Sequence, residues 1–281
     1  MRQTVQDSAV IFIHIPKSAG TTLNRIIEWE YPAFQIFSLI GRYRWSYDRL
    51  NGWSQSRLAR TRVFKGHMPF GLHMLLPQSA TYITMLRNPV DRAISSYYYR
   101  LSSRLHPQHR ATKQLTLEPH IRTSPLNNIQ TRLLAGGAGA ADFLVDDCNA
   151  ETLATAKDNL ARHFSLIGLT ERFDESLALA KLLFGWKITR YARFRVTQNR
   201  PKMETISPRV RDLIKDHCQF DIGLYQYATT LFEQALADRA SDVQFQLDAI
   251  RQANISTLRD SLYYQTASLA RQALCLINSQ L

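Results

Sequence analysis

The chain has 281 residues, enough for one large domain or one domain with an extension. Its apolar fraction of 45% with no low-complexity tract is that of a globular protein, and no run of ~20 apolar residues is present, so no membrane span is expected. A net charge of +12 points to an anionic ligand, while three scattered cysteines, Cys148, Cys218 and Cys275, supply neither a metal site nor a redox motif.

The polar, mixed-charge start, Met1 to Ser8, is not a signal peptide, and a cytoplasmic location is the expectation. Residues 226–281 carry four arginines against five carboxylates, a net of −1, so the rest of the chain holds +13. No basic stripe with interleaved aromatics stands out, so nucleic acid is not an expected partner.

Ala9 to Ile15 is an apolar run that predicts a short buried strand, ended by Pro16. Lys17-Ser18-Ala19-Gly20 is a turn of small residues. Thr21 and Thr22 open a helix over Leu23 to Trp29, with a threonine expected at the N-cap. A strand, a small-residue turn and a helix N-terminus make an anion site: free N–H groups point outward, the dipole is positive, and Lys17 adds a charge. The order is not that of the ATP loop, G-x-x-x-x-G-K-[ST]; here the lysine comes first, and the magnesium-binding order is missing.

The aromatic stretch Tyr31 to Arg60, with Tyr43, Trp45, Tyr47 and Trp53, is either a wall of a cleft or ordinary packing. Thr61 to Lys65 predicts a second strand, followed at once by Gly66-His67. A histidine past the carboxyl end of a strand is placed for chemistry, and neutral imidazole is a good general base for an alcohol. Ala80 to Leu86 predicts a third strand, and Pro89 starts a helix to about Ser102. Arg87 at the strand end and Ser95 about two turns into the helix can hold one anion from two sides. Arg92 reads as an ion pair, and Tyr97 to Tyr99 as core.

From Arg87 to Arg132 eight basic residues face two acids. Leu105 to Ser124 lacks periodicity and reads as a long loop, either a lid for a polyhydroxy or acidic substrate or a solvated basic segment. The histidines within it lack metal-ligand spacing, so no metal is expected. Helices follow over Asn127 to Ala135 and Glu151 to His163, then a strand over Phe164 to Leu169 and a helix opened by Thr170 as its cap. Tyr191 to Lys202 is basic and extended. Leu224 to Leu281 contains no proline or glycine and predicts one long amphipathic helix, broken once at most, packed on the domain or mediating a homodimer.

Taken together, Pro-Lys-Ser-Ala-Gly-Thr-Thr resembles the 5′-phosphosulfate loop of sulfotransferases that use 3′-phosphoadenosine 5′-phosphosulfate (PAPS). Arg87-Asn88-Pro89-Val90-Asp91-Arg92-Ala93-Ile94-Ser95-Ser96-Tyr97 is similar to their 3′-phosphate motif. The fuller His14-Ile15-Pro16-Lys17 loop and the Gly66-His67 pair look like the carbohydrate 2-O-sulfotransferase branch, with Lys65 standing where some members have a second histidine. The resemblance runs from about Val10 to Phe232, dividing the chain into a domain over 1–232 and a helical extension over 233–281. It implies a three-layer α/β/α fold with a central parallel sheet like that of nucleotide kinases. It implies PAPS as donor, 3′,5′-adenosine bisphosphate (PAP) as product, no metal, and a hydroxyl acceptor such as a saccharide. It implies His67 as base. Lys17, Ser18, Ala19, Gly20, Thr21 and Thr22 would hold the 5′ end, and Arg87 and Ser95 the 3′-phosphate. Asn128 and Arg132 would face the site, and Thr197, Arg200 and Lys202 would lie in a covering loop. The alternative is a nucleotide-dependent kinase on a related fold.

Overall fold

The computed structural model describes residues 8–39, 50–124, 127–136, 148–192, 194, 201, 203–255 and 258–280. Five parallel strands form one sheet: β1 Ala9–Ile13, β2 Ile36–Leu39, β3 Val63–Gly66, β4 Ala80–Leu86 and β5 Phe164–Leu169, in the order β2-β3-β1-β4-β5. Every residue of β1 is apolar and buried, as a central strand covered on both faces must be. After β1 the chain builds outward on one side through β2 and β3, then crosses to add β4 and β5 on the other. The order reverses beside β1, and the carboxyl ends of β1, β3 and β4 meet there.

β1 stops at Ile13, two residues short of the sequence expectation. The chain leaves the sheet at His14, whose N–H still donates to the Gly66 carbonyl (2.8 Å). Helix α1, Gly20–Glu30, lays Leu23, Ile26 and Ile27 into the core. Burying each such side chain contributes roughly 1.5–3 kcal/mol. The short helix α2, Gln55–Arg60, is capped by Ser54. Trp53 packs edge-on against Phe37 (4.7 Å between ring centres), so it is packing; Tyr43, Trp45 and Tyr47 lie outside the described residues.

Helix α3, Pro89–Ser102, begins as expected, with Asn88 accepting from the N–H groups of Val90 and Asp91. The predicted long loop over Leu105 to Ser124 holds two short helices instead, α4 His109–Lys113 and α5 Leu117–Thr123. Each is too short to show a period in sequence. Ile121 anchors α5 in a second apolar cluster with Val90, Ile94 and Ile214, and the Tyr97 hydroxyl donates to the Leu115 carbonyl. Helices α6 Ile129–Ala135, α7 Ala150–His163 and α8 Phe173–Phe184 follow. Thr170 does not cap α8; its hydroxyl donates to the Leu86 carbonyl, tying β4 to the chain after β5.

Helix α9, Pro208–His217, leads into three further helices in place of the single long one: α10 Gln219–Ala237, α11 Ala240–Ile255 and α12 Leu258–Gln280. Val243, Leu247 and Ile250 of α11 and Cys275 of α12 join the main core. α12 lies on β2 and α1, where Ser279 accepts from the Ser38 N–H (2.8 Å) and Arg271 donates to the Glu28 carbonyl (2.6 Å). Its buried face is therefore covered by the chain's own domain, and the homodimer reading gains no support. Among the described residues no helix is long and apolar enough to cross a membrane.

Candidate functional site

A cavity of about 580 Å³ opens at the carboxyl ends of β1, β3 and β4. Its floor is the loop between β1 and α1. Lys17 and Ala19 both adopt left-handed backbone (φ 68° and 54°), a conformation that costs a non-glycine residue about 1–2 kcal/mol. Ala19, not a threonine, occupies the N-cap, and no side chain caps α1. The Thr22 and Leu23 N–H groups donate to the Ala19 carbonyl (3.0 and 3.2 Å), so of the first-turn N–H groups those of Gly20 and Thr21 are the ones suited to a ligand. The Ser18 side chain is fully buried, yet its Oγ has no hydrogen-bond partner among the described residues. Such an orphan suits a bound oxyanion. Thr21 lines the cavity, and the Thr22 hydroxyl accepts from the Phe194 N–H (3.1 Å). The Lys17 ammonium sits 3.9 Å from the centre of the Tyr99 ring, a cation–π contact.

Beside the loop stand two histidines. Ile13 and Gly66 are register partners in β1 and β3, so the residues after them, His14 and His67, emerge side by side with ring centres 4.2 Å apart. His67 Nδ1–H donates to the His14 carbonyl (2.6 Å), because a carbonyl can only accept. That bond fixes the neutral tautomer and puts the basic lone pair on Nε2. The Asn24 amide donates to His14 Nδ1 (3.1 Å), which places the proton of neutral His14 on Nε2. His14 also stacks on Phe12 and covers Gly20 so closely that a Cβ there would come within 2.0 Å of its ring. Gly20 is therefore set by contact with His14. Lys65, which stands where some members of the 2-O branch have a second histidine, points away into a buried pair with Glu28 (2.6 Å).

The third component follows β4. Arg87 donates to the Lys17 carbonyl (2.9 Å) through Nη1 and to Asp91 through Nε (2.7 Å), so it ties the two loops together. Its backbone is held at both ends by Gln130, which accepts from the Arg87 N–H and donates to the Arg87 carbonyl, both at 3.0 Å. Burial lowers the Arg87 pKa from its usual value, against the pull of the nearby Glu171 carboxylate. Ser95 lines the cavity two turns into α3. Arg92 is buried and faces Asp221 (3.8 Å), the ion pair expected from sequence.

A family model for galactose-3-O-sulfotransferases matches residues 3–273. The chain belongs to that family. It is 25% identical over 185 residues to galactose-3-O-sulfotransferase 2 of Sus scrofa, covering 62% of this chain and 45% of that protein. It is 26% identical over 280 residues to heparan-sulfate 6-O-sulfotransferase 3 of Homo sapiens, covering 80% of this chain and 57% of that one. Human galactose-3-O-sulfotransferase 3 is 26% identical over 219 residues, with 70% and 48% covered. The chain thus spans about half the length of these relatives. The matches do not confirm the 2-O branch, and they lend nothing to the kinase alternative. The family match also runs through α11 and into α12, past the Phe232 where the sequence resemblance was read to end.

The remaining residues expected in the site of this family member divide in two. Asn128 and Arg132 do not line the cavity. Asn128 accepts from the N–H groups of Phe220 and Asp221 and donates to the His217 carbonyl, bracing α6 against α9 and α10. Arg132 donates to Asn127 (3.1 Å to its carbonyl). Thr197, Arg200 and Lys202 lie outside the described residues. Two contributors were missed. His14 was read as strand interior; its signal is that it pairs in level with His67 once the strand order is known. Tyr99 was read as core, but it is four residues after Ser95 and so on the same helix face. The fully buried Asp221, whose carboxyl burial pushes up, accepts from Thr131 and Gln130 and so fixes the helix that carries Gln130.

Proposed function

We propose that the protein transfers a sulfuryl group from PAPS to a hydroxyl of a carbohydrate acceptor, with His67 as the general base. Family membership supports the reaction class, and the names of the relatives support a carbohydrate. The single observation that carries the residue assignment is the His67 Nδ1–H bond to the His14 carbonyl at the edge of the anion cavity. It makes Nε2 of His67 a proton acceptor, whereas the Asn24 contact makes Nε2 of His14 a donor.

The residues fit the donor's two charged ends. Ser18, whose buried hydroxyl has no partner among the described residues, the left-handed Lys17 and Ala19, the N–H groups of Gly20 and Thr21, and the adjoining Thr22 suit the 5′-phosphosulfate. Arg87 and Ser95 suit the 3′-phosphate. The donor supplies an electrophilic sulfur with a phosphate leaving group. His67 takes the acceptor's hydroxyl proton as the oxygen forms its bond to sulfur and the bond from sulfur to the bridging oxygen breaks. Lys17 and the loop amides meet the charge that builds on that oxygen. Holding donor and acceptor together in one cavity supplies much of the remaining rate.

Two measurements test this. Calorimetric titration without magnesium should show tight PAP binding; binding of ATP with magnesium in its place would overturn the reading and restore the kinase alternative. Replacing His67 with alanine should lower kcat by about 10²–10⁴-fold and leave PAP affinity unchanged. Near wild-type turnover in His67→Ala, with turnover lost in His14→Ala, would move the base to His14.

A further inference from the structure

Helix α3 runs along one wall of the cavity and lines it with Arg92, Ser95, Ser96, Tyr99 and Arg100. These positions form one stripe at helical spacing. Its N-terminal part belongs to Arg87 and Ser95. One turn further, about 6 Å along the axis, Tyr99 carries the Lys17 ammonium and so marks the 5′ end of the donor. What continues beyond Tyr99 along the same wall lies past the transferable group. That continuation is the turn between α3 and α4, which puts His106 and Gln108 on the cavity lining.

His106 is held in a defined way. Its ring stands edge-on to Tyr99 (5.8 Å between centres, 83° between planes). The backbone N–H of Gln108 donates to His106 Nδ1 (3.1 Å). Because that donor is a main-chain amide, Nδ1 is the unprotonated nitrogen and neutral His106 carries its proton on Nε2. We propose that His106 is an acceptor-binding residue that donates its Nε2–H to a hydroxyl oxygen of the sugar whose neighbouring hydroxyl is sulfated. This rests on the sulfotransferase reading above and deepens it. Burial and the nearby charges of Arg100, His109 and Lys17 lower the His106 pKa, which keeps the ring a single donor rather than a second cation beside Lys17. The tautomer is opposite to that of His67, so within one cavity one imidazole offers a lone pair and another offers a proton.

The test uses the whole chain. PAP affinity is measured by calorimetry, and transfer of labelled sulfate from PAPS is measured to oligosaccharides ending in galactose, glucuronate or glucosamine. For the acceptor that is turned over, His106→Ala and His106→Asn should raise KM about tenfold, the loss of one hydrogen bond. His106→Gln, whose amide nitrogen reaches the place of Nε2, should restore most of the loss. PAP affinity should be the same in all four proteins. A wild-type KM in His106→Ala overturns the proposal, as does a parallel fall in PAP affinity, or equal behaviour of the Asn and Gln variants. A wild-type protein that binds PAP but sulfates none of the sugars overturns the acceptor assignment alone. A protein that binds no PAP overturns the reading beneath it.

Discussion

The two turns that line the cavity after β1 and β4 follow neighbouring parallel strands, yet they are built in opposite ways. The turn after β1 is assembled from backbone under strain, with left-handed Lys17 and Ala19, a helix without a side-chain cap and a buried Ser18 hydroxyl that has no partner among the described residues. The turn after β4 is assembled from satisfied side chains. Arg87 bonds Asp91 and the Lys17 carbonyl, Gln130 clamps the Arg87 backbone, Asn88 caps α3, and the Asn88 N–H donates to Glu171. The first turn holds polar capacity open for a ligand. The second turn is complete without one, and its arginine also braces the first. A strained site with open valences is where transition-state charge can be met at no reorganisation cost, whereas a saturated one is suited to anchoring.

The comparison breaks most sharply at Gly20. A methyl group there would meet the His14 ring at 2.0 Å, and that ring is pinned by Asn24, Phe12 and His67. Gly20→Ala should therefore disturb loop and histidine pair together, at a cost of about 1–3 kcal/mol. PAP affinity and turnover should fall together, in contrast to the split expected of His67→Ala. Wild-type PAP affinity in calorimetry would show that the contact with His14 does not set the loop. At the second turn, Arg87→Ala removes charge-assisted bonds worth about 1.5–3 kcal/mol. PAP affinity should drop about 10–100-fold. Because the same side chain holds the Lys17 carbonyl, kcat should fall as well as affinity. A change in affinity alone would mean that the two turns are independent.

These differences were unevenly legible in the sequence. β4 and β5 were read to the residue and α3 from its start at Pro89 to about Ser102, and for β4 and α3 the reason is a strong boundary: the change from apolar to charged at Arg87 and the proline at 89. The anion loop was legible as a motif, but its strain was not. Nothing in Lys17-Ser18-Ala19-Gly20 says that alanine rather than threonine takes the N-cap, or that the His14 ring covers Gly20. His67 stood out because Gly66 marks the end of its strand, and His14 was hidden because Ile13 to Ile15 reads as one apolar run. Asn128, Gln130 and Asp221 make contacts across roughly 40 to 90 positions of chain. Local pattern could not assign them, and it gave Asn128 a role in the site where the fold uses it as a brace. The C-terminal helices were legible as amphipathic, but their breaks were not, because Asp238-Arg239 is a turn with neither proline nor glycine.

The smallest effect expected is also the most direct test of the contrast between strained and saturated turns. Ala19 carries its left-handed φ of 54° without the freedom of glycine. Left-handed backbone costs alanine about 1–2 kcal/mol, and a glycine added to the chain costs the folded state about 0.5–1 kcal/mol in unfolded-chain entropy. Ala19→Gly should therefore stabilise the protein by a net of about 0.5–1 kcal/mol, a rise in Tm of about 2 °C for a chain of this size. PAP affinity should move the other way and weaken slightly, because a glycine-rich loop is less ordered before it binds. Scanning calorimetry and a PAP titration on the same variant read both quantities. Should Tm fall, the left-handed turn is not under strain, and the open polar groups of the first loop would have to be explained without it.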